Sequence, residues 1–221
     1  MDVALHYTER GAGEPLILLH GNGEDSTYFE YQLPFLAQWF RVIAVDTRGH
    51  GHSPRGEAPF TLEQFAQDLG AFMDELGLAS AHLLGFSDGA NVALLFALAN
   101  PQRVRSLVLD GANLFPEGLE PAVRAEDAES YRQALAAGDA HQLELLHLMM
   151  DEPHIDPAEL AALHMPTLVT AGAHDMIRES HTRLIAASIP GACLRILAGT
   201  HFHAHEDPDP FNQVVGEFYR A

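Results

Sequence analysis

The chain contains six short runs of mainly valine, isoleucine and leucine, and longer segments with helical periodicity separate most of them. Short runs that are apolar on both faces are typical of parallel strands in a sheet that helices cover on both sides. The strands predicted in this way are residues 16–20, 41–46, 81–86, 104–110, 167–172 and 193–197. The pattern predicts an α/β protein with a mostly parallel, doubly wound sheet.

Four further segments complete this prediction. Residues 3–8 alternate apolar and polar side chains before a glycine turn, which predicts an edge strand. Residues 61–77 form an amphipathic helical pattern that opens with a capping-box spacing, Thr61 to Gln64. Residues 88–100 are apolar nearly all round, which predicts the most buried helix. We interpret 114–163, which is helical in pattern, as an insertion within a single domain of 221 residues.

Composition excludes several classes of function. Acidic residues number 31 against 12 basic ones, and the formal net charge of −19 opposes binding to nucleic acid or to an anionic membrane surface. Every basic residue is an arginine, which excludes a lysine Schiff base and a phosphate-loop lysine. We therefore expect a small-molecule substrate, with no nucleic-acid or membrane partner, and a homo-oligomer is left open.

The N-terminal residues and the single cysteine bear on the compartment. The first residues lack the basic and long apolar regions of a signal peptide, and no apolar run approaches 18 residues. We therefore expect a soluble, cytoplasmic protein. Cys193 lies in an apolar stretch, which predicts a buried and unreactive thiol.

The sequence Gly85-Phe86-Ser87-Asp88-Gly89 joins a predicted strand directly to the most apolar helix. A serine at such a sharp turn projects its hydroxyl above the sheet, and the flanking glycines leave room for neighbouring backbone. The start of the helix also offers backbone N–H groups to a developing oxyanion. This context predicts that Ser87 is a nucleophile; the simpler interpretation is a serine that caps the helix.

A serine nucleophile requires a base, which must lie near the carboxyl edge of the sheet. His201, which follows the last predicted strand, is the predicted base, and His203 is the alternative. We interpret His205 as a solvent-exposed loop histidine. The base needs a carboxylate to fix its tautomer, and Asp175 follows the strand 167–172 at the same edge. Asp110, which ends the preceding strand, is the alternative acid.

Two backbone N–H groups are needed to bind an oxyanion. The first belongs to Asp88, directly after the nucleophile, and the second lies in the loop His20-Gly21-Asn22-Gly23. We assign the second group to Asn22, with Gly23 as the alternative. The charged side chain of Asp88 has two interpretations, a partner for a substrate ammonium group or a carboxylate favoured by the helix dipole.

Four blocks of the sequence resemble the α/β-hydrolase superfamily, and their pattern is similar to that of small carboxylesterase-like proteins. They are Leu-Leu-His-Gly at 18–21, Asp-Thr-Arg-Gly-His-Gly-His-Ser at 46–53, the motif at 85–89, and 199–201 followed by Glu206, Pro208 and Phe211. The resemblance implies the α/β-hydrolase fold with a helical cap between the nucleophile and the acid. The interval 114–163 leaves room for only a reduced cap, which implies a shallow, open site.

The residue at position 87 also separates branches of this superfamily. Haloalkane dehalogenases and epoxide hydrolases carry a carboxylate there, and dienelactone hydrolases a cysteine. The predicted reaction is therefore hydrolysis of a small carboxylic ester, thioester or lactone through an acyl-enzyme on Ser87, without a cofactor. Carbon–carbon bond hydrolysis, perhydrolysis and acyl transfer to an alcohol by the same serine are alternatives, and so is a non-catalytic ligand-binding member of the fold.

Closely spaced histidines leave a metal-dependent hydrolase open as a further alternative. His50-x-His52 and His201-x-His203-x-His205 have the alternation that can place imidazoles around zinc. In the family-like loop, however, His50 more often holds the loop in shape, and the second group contains the predicted base. We therefore predict no metal ligands.

Overall fold

The computed structural model describes residues 2–220, which form a seven-stranded sheet with helices on both faces. The strands are β1 (Tyr7–Gly11), β2 (Glu14–Leu19), β3 (Phe40–Val45), β4 (Ala81–Phe86), β5 (Val104–Asp110), β6 (Thr167–His174) and β7 (Cys193–Thr200). Their order across the sheet is β1-β3-β2-β4-β5-β6-β7. Only β1 is antiparallel to its neighbour within this sheet. The predicted mostly parallel, doubly wound α/β sheet is confirmed.

Eight α-helices accompany this sheet within residues 2–220. They are α1 (Gln32–Leu36), α2 (Leu62–Glu75), α3 (Asp88–Ala99), α4 (Pro121–Ala137), α5 (Ala140–Asp151), α6 (Glu179–Ser188), α7 (His203–Glu206) and α8 (Pro208–Arg220). Apolar side chains of α2, α3 and α6 pack in one core cluster, and those of α1 and α8 pack in a second cluster on the other face. Helix α3 is buried along most of its length, as its apolar pattern predicts. Among residues 2–220, no helix has both the length and the apolar character to cross a membrane.

The start of α2 forms only half of the predicted capping box. The Thr61 hydroxyl accepts a hydrogen bond from the backbone N–H of Gln64 at 3.1 Å. The Gln64 side chain does not return this bond, because its amide donates to Asp68 Oδ1 at 3.1 Å. Asp68 is buried and also accepts from Arg48, so the glutamine supports a buried ion pair instead.

The segment between β5 and β6 is helical, as the sequence predicts. It contains α4 and α5 together with short 3-10 turns at Pro116–Gly118 and Pro157–Ala162. Helix α4 is largely exposed, whereas α5 packs closer to the body of the protein through Leu145, Leu146 and Leu148. Its action as a reduced cap, and the single-domain assignment, stay predictions.

Both edges of the sheet differ from the sequence predictions. The first strand begins at Tyr7 instead of residue 3, because its partner β3 ends at Val45, directly opposite Tyr7. Val3 and Leu5 instead pack in the core. The prediction of a buried thiol is wrong: Cys193 is exposed. It begins β7, the outer strand at the other edge, where side chains alternate between exposed and half-buried positions.

Candidate active site

Ser87 occupies the junction between β4 and α3 in a strained backbone conformation. Its φ of 54° and ψ of −122° make it the only non-glycine residue among 2–220 with a positive φ. Such a conformation costs on the order of 1–3 kcal/mol and persists only where the surrounding structure enforces it. Here the Ser87 N–H donates to the carbonyl of Asp110 at 2.7 Å, which fixes the turn to the neighbouring strand β5.

The two glycines of the motif are required by close backbone packing. A Cβ at Gly85 would collide with the backbone of Gly89, and a Cβ at Gly89 would collide with the carbonyl of Leu19 in β2. The turn can therefore close tightly over the sheet only with glycine at both positions. The half-buried Ser87 side chain is left at the carboxyl edge of the strands.

The structure brings Ser87, His201 and Asp175 into one hydrogen-bonded series. His201 Nε2 lies 3.0 Å from Ser87 Oγ, and His201 Nδ1 lies 2.6 Å from Asp175 Oδ1. The side chains of His201 and Asp175 are only 4% and 2% exposed. With Asp175 ionised, Nδ1–H donates to the carboxylate, and the Nε2 lone pair is left to accept the serine hydroxyl.

The surroundings of Asp175 favour its ionised form. Burial raises the pKa of this carboxyl. The hydrogen bond from His201 and the backbone N–H groups of Ile177 and Gly172 lower it by more than burial raises it, so the net pKa falls below its ordinary value. These two N–H groups donate at 2.9 and 3.1 Å. The carboxylate is thus held in place and kept charged beside the imidazole.

The alternative base and the alternative acid pair with each other. His203 Nε2 lies 3.3 Å from Asp110 Oδ1, and both side chains are 1% exposed. Thr170 donates its hydroxyl to the same Asp110 oxygen at 2.8 Å. Burial raises the pKa of Asp110 to about 6. This second pair lies beside the first, but it is His201 that reaches the Ser87 hydroxyl.

The loop predicted to supply the second oxyanion donor is tied to the nucleophile turn. The Asn22 side chain donates to Asp88 Oδ2 and to the Leu145 carbonyl of α5, both at 2.9 Å. The Asp88 N–H belongs to the first turn of α3, where backbone donors have no partner within the helix. The assignment of the second donor to Asn22, with Gly23 adjacent, stays a prediction.

The Asp88 carboxyl is enclosed by amide side chains. It is 7% exposed and accepts from Asn22 Nδ2 at 2.9 Å and from Asn91 Nδ2 at 3.3 Å. Burial raises its pKa to about 6, although both of these hydrogen bonds oppose the shift. These contacts favour a role in holding the loop to α3, and the ammonium interpretation stays an untested prediction.

Glu24 is a site residue that the sequence reasoning missed. Its Oε2 accepts the Gly21 N–H at 3.1 Å, which closes the loop next to Asn22. Burial raises the Glu24 pKa to about 7, whereas the nearby His201 lowers it. The Gly-Asn-Gly-Glu sequence contains the turn signal, but the inward direction of the glutamate is not visible in the sequence.

An acidic surface pocket adjoins this site. Its volume is about 580 Å³. Glu24 and Phe202 contribute to its wall, and Phe202 directly follows His201 in the chain. The remaining lining side chains are acidic, aromatic or polar, namely Asp25, Thr27, Tyr28, Glu30, His205 and Glu206. The pocket therefore disfavours anionic ligands.

The histidine spacings do not form the two metal groupings considered from the sequence. His201, His203 and His205 each face a different acid: Asp175, Asp110 and Glu30 respectively. His205 is exposed, as predicted, but it lies in helix α7 instead of a loop. His50 is buried in the loop after β3, where Nδ1 lies 3.0 Å from the Arg48 carbonyl and 3.1 Å from Thr47 Oγ1. Within residues 2–220, His52 instead groups with His6 and Asp46.

Comparison with known proteins identifies relatives over almost the whole chain. A family described as "alpha/beta hydrolase fold" matches residues 14–148. A 2-hydroxy-6-oxononadienedioate/2-hydroxy-6-oxononatrienedioate hydrolase from Pseudomonas putida is 30% identical over 99% of this chain and 92% of its own length. An enol-lactonase from Burkholderia xenovorans LB400 has a TM-score of 0.84 at 25% identity, covering 99% of this chain and 97% of that one. A thermophilic esterase from Thermogutta terrifontis also has a TM-score of 0.84 at 25% identity, with 99% and 93% coverage.

Proposed function

The chain belongs to the α/β-hydrolase family, and we propose that it hydrolyses a small carboxylic ester, thioester or lactone through an acyl-enzyme on Ser87. The three similar proteins described above are a hydrolase, an enol-lactonase and an esterase, so hydrolase activity is the level on which they agree. The observation that supports the finer proposal is the hydrogen-bonded series Ser87–His201–Asp175.

In the proposed first half-reaction, His201 Nε2 removes the proton from Ser87 Oγ as this oxygen attacks the substrate carbonyl carbon. The carbonyl π bond breaks and leaves a negative oxygen, which accepts from the Asn22 and Asp88 N–H groups. Each such donor is worth about 3 kcal/mol of barrier in comparable sites. The intermediate then collapses, the bond to the leaving group breaks, and His201 returns its proton to the leaving alcohol or thiol.

In the second half-reaction, water takes the place of the alcohol. His201 removes a proton from this water, the resulting hydroxide attacks the acyl carbon, and Ser87 leaves with the proton returned by His201. Asp175 stays ionised throughout, keeps Nδ1 protonated and stabilises the imidazolium. All of these steps use groups of this chain and water, so the proposal requires no cofactor.

Carbon–carbon bond hydrolysis is the second candidate, because the Pseudomonas putida relative is named for substrates of this kind. That name describes dicarboxylates. The surface pocket next to His201 is lined by Asp25, Glu30 and Glu206, which would repel a dianion that extends into it. Ser87, His201 and Asp175 do not themselves line this pocket. We therefore propose the ester-type substrate. The cytoplasmic location expected from the sequence stays a prediction.

Labelling with a fluorophosphonate, followed by mass spectrometry of the modified peptide, tests the proposal without knowledge of the natural substrate. We expect a single adduct on Ser87 that disappears in His201→Ala. Ser130→Ala, which changes an exposed serine of α4, is the matched control and should label like the unmodified protein. Absence of an adduct on folded protein would contradict the proposal and favour a non-catalytic ligand-binding protein. A panel of neutral and dicarboxylate substrates then separates ester cleavage from carbon–carbon cleavage.

A further inference from the structure

Three side chains from two segments of the chain meet beside the amino-terminal end of β1. His6 directly precedes β1, Asp46 directly follows β3, and His52 lies in the loop after Asp46. His6 Nδ1 lies 2.8 Å from Asp46 Oδ2, and His52 Nδ1 lies 3.6 Å from the same oxygen. One ligand atom from each residue falls within 4.8 Å of the others.

We propose that His6, Asp46 and His52 bind a first-row divalent metal ion of the Zn²⁺ type. Two imidazoles and one carboxylate are a common ligand set for zinc, whereas Ca²⁺ and Mg²⁺ prefer oxygen ligands alone. With metal–ligand bonds of about 2.0–2.2 Å, the ligand atoms of a tetrahedral zinc ion lie about 3.3 Å apart. The observed separations can reach this value through small rotations of the side chains, and water would complete the coordination.

The carboxylate of this cluster is positioned independently of the two imidazoles. Asp46 is fully buried, Oδ1 accepts the Ser26 N–H at 2.8 Å, and Oδ2 accepts the His52 N–H at 2.9 Å. Both donors are backbone groups, so the oxygen that faces the imidazoles is fixed before any ion arrives. Such preorganisation reduces the cost of binding.

The two imidazoles are open to solvent and can adjust. The His6 and His52 side chains are 41% and 79% exposed, and their rings lie side by side with centroids 4.8 Å apart. An incoming ion would take the position of the proton on His6 Nδ1. A neutral ring then carries its single proton on Nε2, whereas a protonated ring releases one proton to solvent as the metal bond forms. The net charge of −19 favours the approach of a cation.

This cluster shares no residue with the Ser87–His201–Asp175 series, so its role would be structural. The ion would connect the segment before the edge strand β1 to the loop that follows β3. A ligand that binds the folded state stabilises it by mass action. At a free Zn²⁺ concentration about 100 times the Kd, the Tm should rise by roughly 5 °C or more for a chain of this size.

Calorimetric titration of untagged, chelator-treated protein with ZnCl2 tests the site. We expect one saturable site, with no comparable binding of CaCl2 or MgCl2. His52→Ala removes one ligand but keeps the backbone N–H that holds Asp46, and it should weaken Zn²⁺ binding at least about tenfold. His147→Ala is the matched control, because His147 and Asp151 form an exposed pair of one imidazole and one carboxylate, 2.7 Å apart. This variant should bind Zn²⁺ like the unmodified protein.

Two results would overturn the inference: no saturable Zn²⁺ binding by the unmodified protein, or equal affinity in His52→Ala and the unmodified protein. A measurement of Tm with and without Zn²⁺ covers the case in which the heat of binding is small. The unmodified protein and His147→Ala should show the upward shift, and His52→Ala should lose most of it. A shift of equal size in all three would assign the binding to scattered histidines and contradict the site.

Discussion

Two buried histidine–aspartate pairs lie side by side at the carboxyl edge of the sheet, and only one of them contacts the serine. In the His201–Asp175 pair, the nearest nitrogen and oxygen are 2.6 Å apart, and in the His203–Asp110 pair they are 3.3 Å apart. The two histidines are two residues apart in the chain. Their acids lie at the ends of the neighbouring strands β6 and β5. Asp175 directly follows β6, and Asp110 is the last residue of β5.

The pairs differ in the hydrogen bonds that each carboxyl accepts, since His203 Nε2 lies near Asp110 but makes no hydrogen bond within residues 2–220. Asp175 accepts two backbone N–H groups in addition to the imidazole, and its pKa falls below the ordinary value despite burial. Asp110 accepts the Thr170 hydroxyl on Oδ1, but its Oδ2 has no hydrogen-bond partner within residues 2–220, and burial raises its pKa to about 6. Proximity to an imidazole therefore does not by itself make a buried carboxyl a suitable partner for a base; fixed backbone donors keep it ionised.

The largest expected effect on kcat comes from substituting His201, and the comparison is with a substitution of His203. His201→Ala should lower kcat for ester hydrolysis by a factor on the order of 10⁵, because the serine hydroxyl loses the imidazole proposed as its base. His203→Gln keeps a polar group near Asp110 and should lower kcat by less than about tenfold. Steady-state kinetics on one neutral ester, with circular dichroism as the check on folding, measures both. Similar losses in two folded variants would remove the distinction between the pairs.

Substitutions of the two acids should lower kcat in the same order, Asp175 more than Asp110, but by smaller factors than the substitutions of the histidines. Asp175→Asn leaves the size of the side chain unchanged and removes the charge that fixes the His201 tautomer, so kcat should fall by about 10⁴. Asp110→Asn replaces a carboxyl with a raised pKa and should change kcat by less than about tenfold. A large loss in Asp110→Asn with an unchanged Tm would show that the second pair acts on His201 directly.

The His203–Asp110 pair should affect the pH dependence of the free energy of unfolding, although it should have little effect on kcat. The folded-state pKa of Asp110 is raised from 3.8 to about 6, so its contribution to stability is fully present below about pH 4 and is lost as the pH rises through about 6. Across this window the unmodified protein should lose up to about 3 kcal/mol relative to Asp110→Asn. The groups that face Asp110 are His203, Thr170, Asp175 and His201.

Urea unfolding of the two proteins at several pH values between 4 and 7 measures this difference. Titrating groups remote from Asp110 act on both proteins alike, so the difference between them reports Asp110 together with the groups that face it. A difference that stays constant with pH would mean that Asp110 is ionised in the folded protein at all of these pH values, as Asp175 is expected to be.

The sequence predicted the central part of this arrangement better than its surroundings. Strands buried on both faces are continuous apolar runs, so the bounds of β4 and β5 were predicted to the residue. Ser87, Asp175 and His201 could be predicted because each is the first residue after a strand. The edges were less predictable, because an outer strand such as β7 is covered on fewer sides and the exposure of Cys193 depends on what packs beside it.

Contacts between side chains distant in sequence were the other source of error. The pairing of His203 with Asp110 and the approach of His6 to Asp46 depend on the direction of each side chain at the sheet edge, and residue spacing does not contain that information. The same holds for Glu24, which turns inward to accept the Gly21 N–H. For such residues the sequence predicts the sheet edge or loop in which they lie, but their hydrogen-bond and ion-pair partners depend on side-chain packing.

Asp88 extends the comparison to a third buried acid and carries the smallest expected effect. Like Asp110, it is held by side-chain donors, here Asn22 and Asn91, and burial raises its pKa to about 6. An acid that is already enclosed by two amides should contribute little to binding a substrate ammonium group. We therefore expect the kcat/KM values of an α-amino ester and its neutral analogue to differ by less than about threefold at pH 8, where the carboxyl is ionised. A preference for the amine of more than about tenfold that disappears in Asp88→Asn would instead establish the ammonium interpretation, since an uncharged side chain of the same size would keep the packing and remove only the attraction.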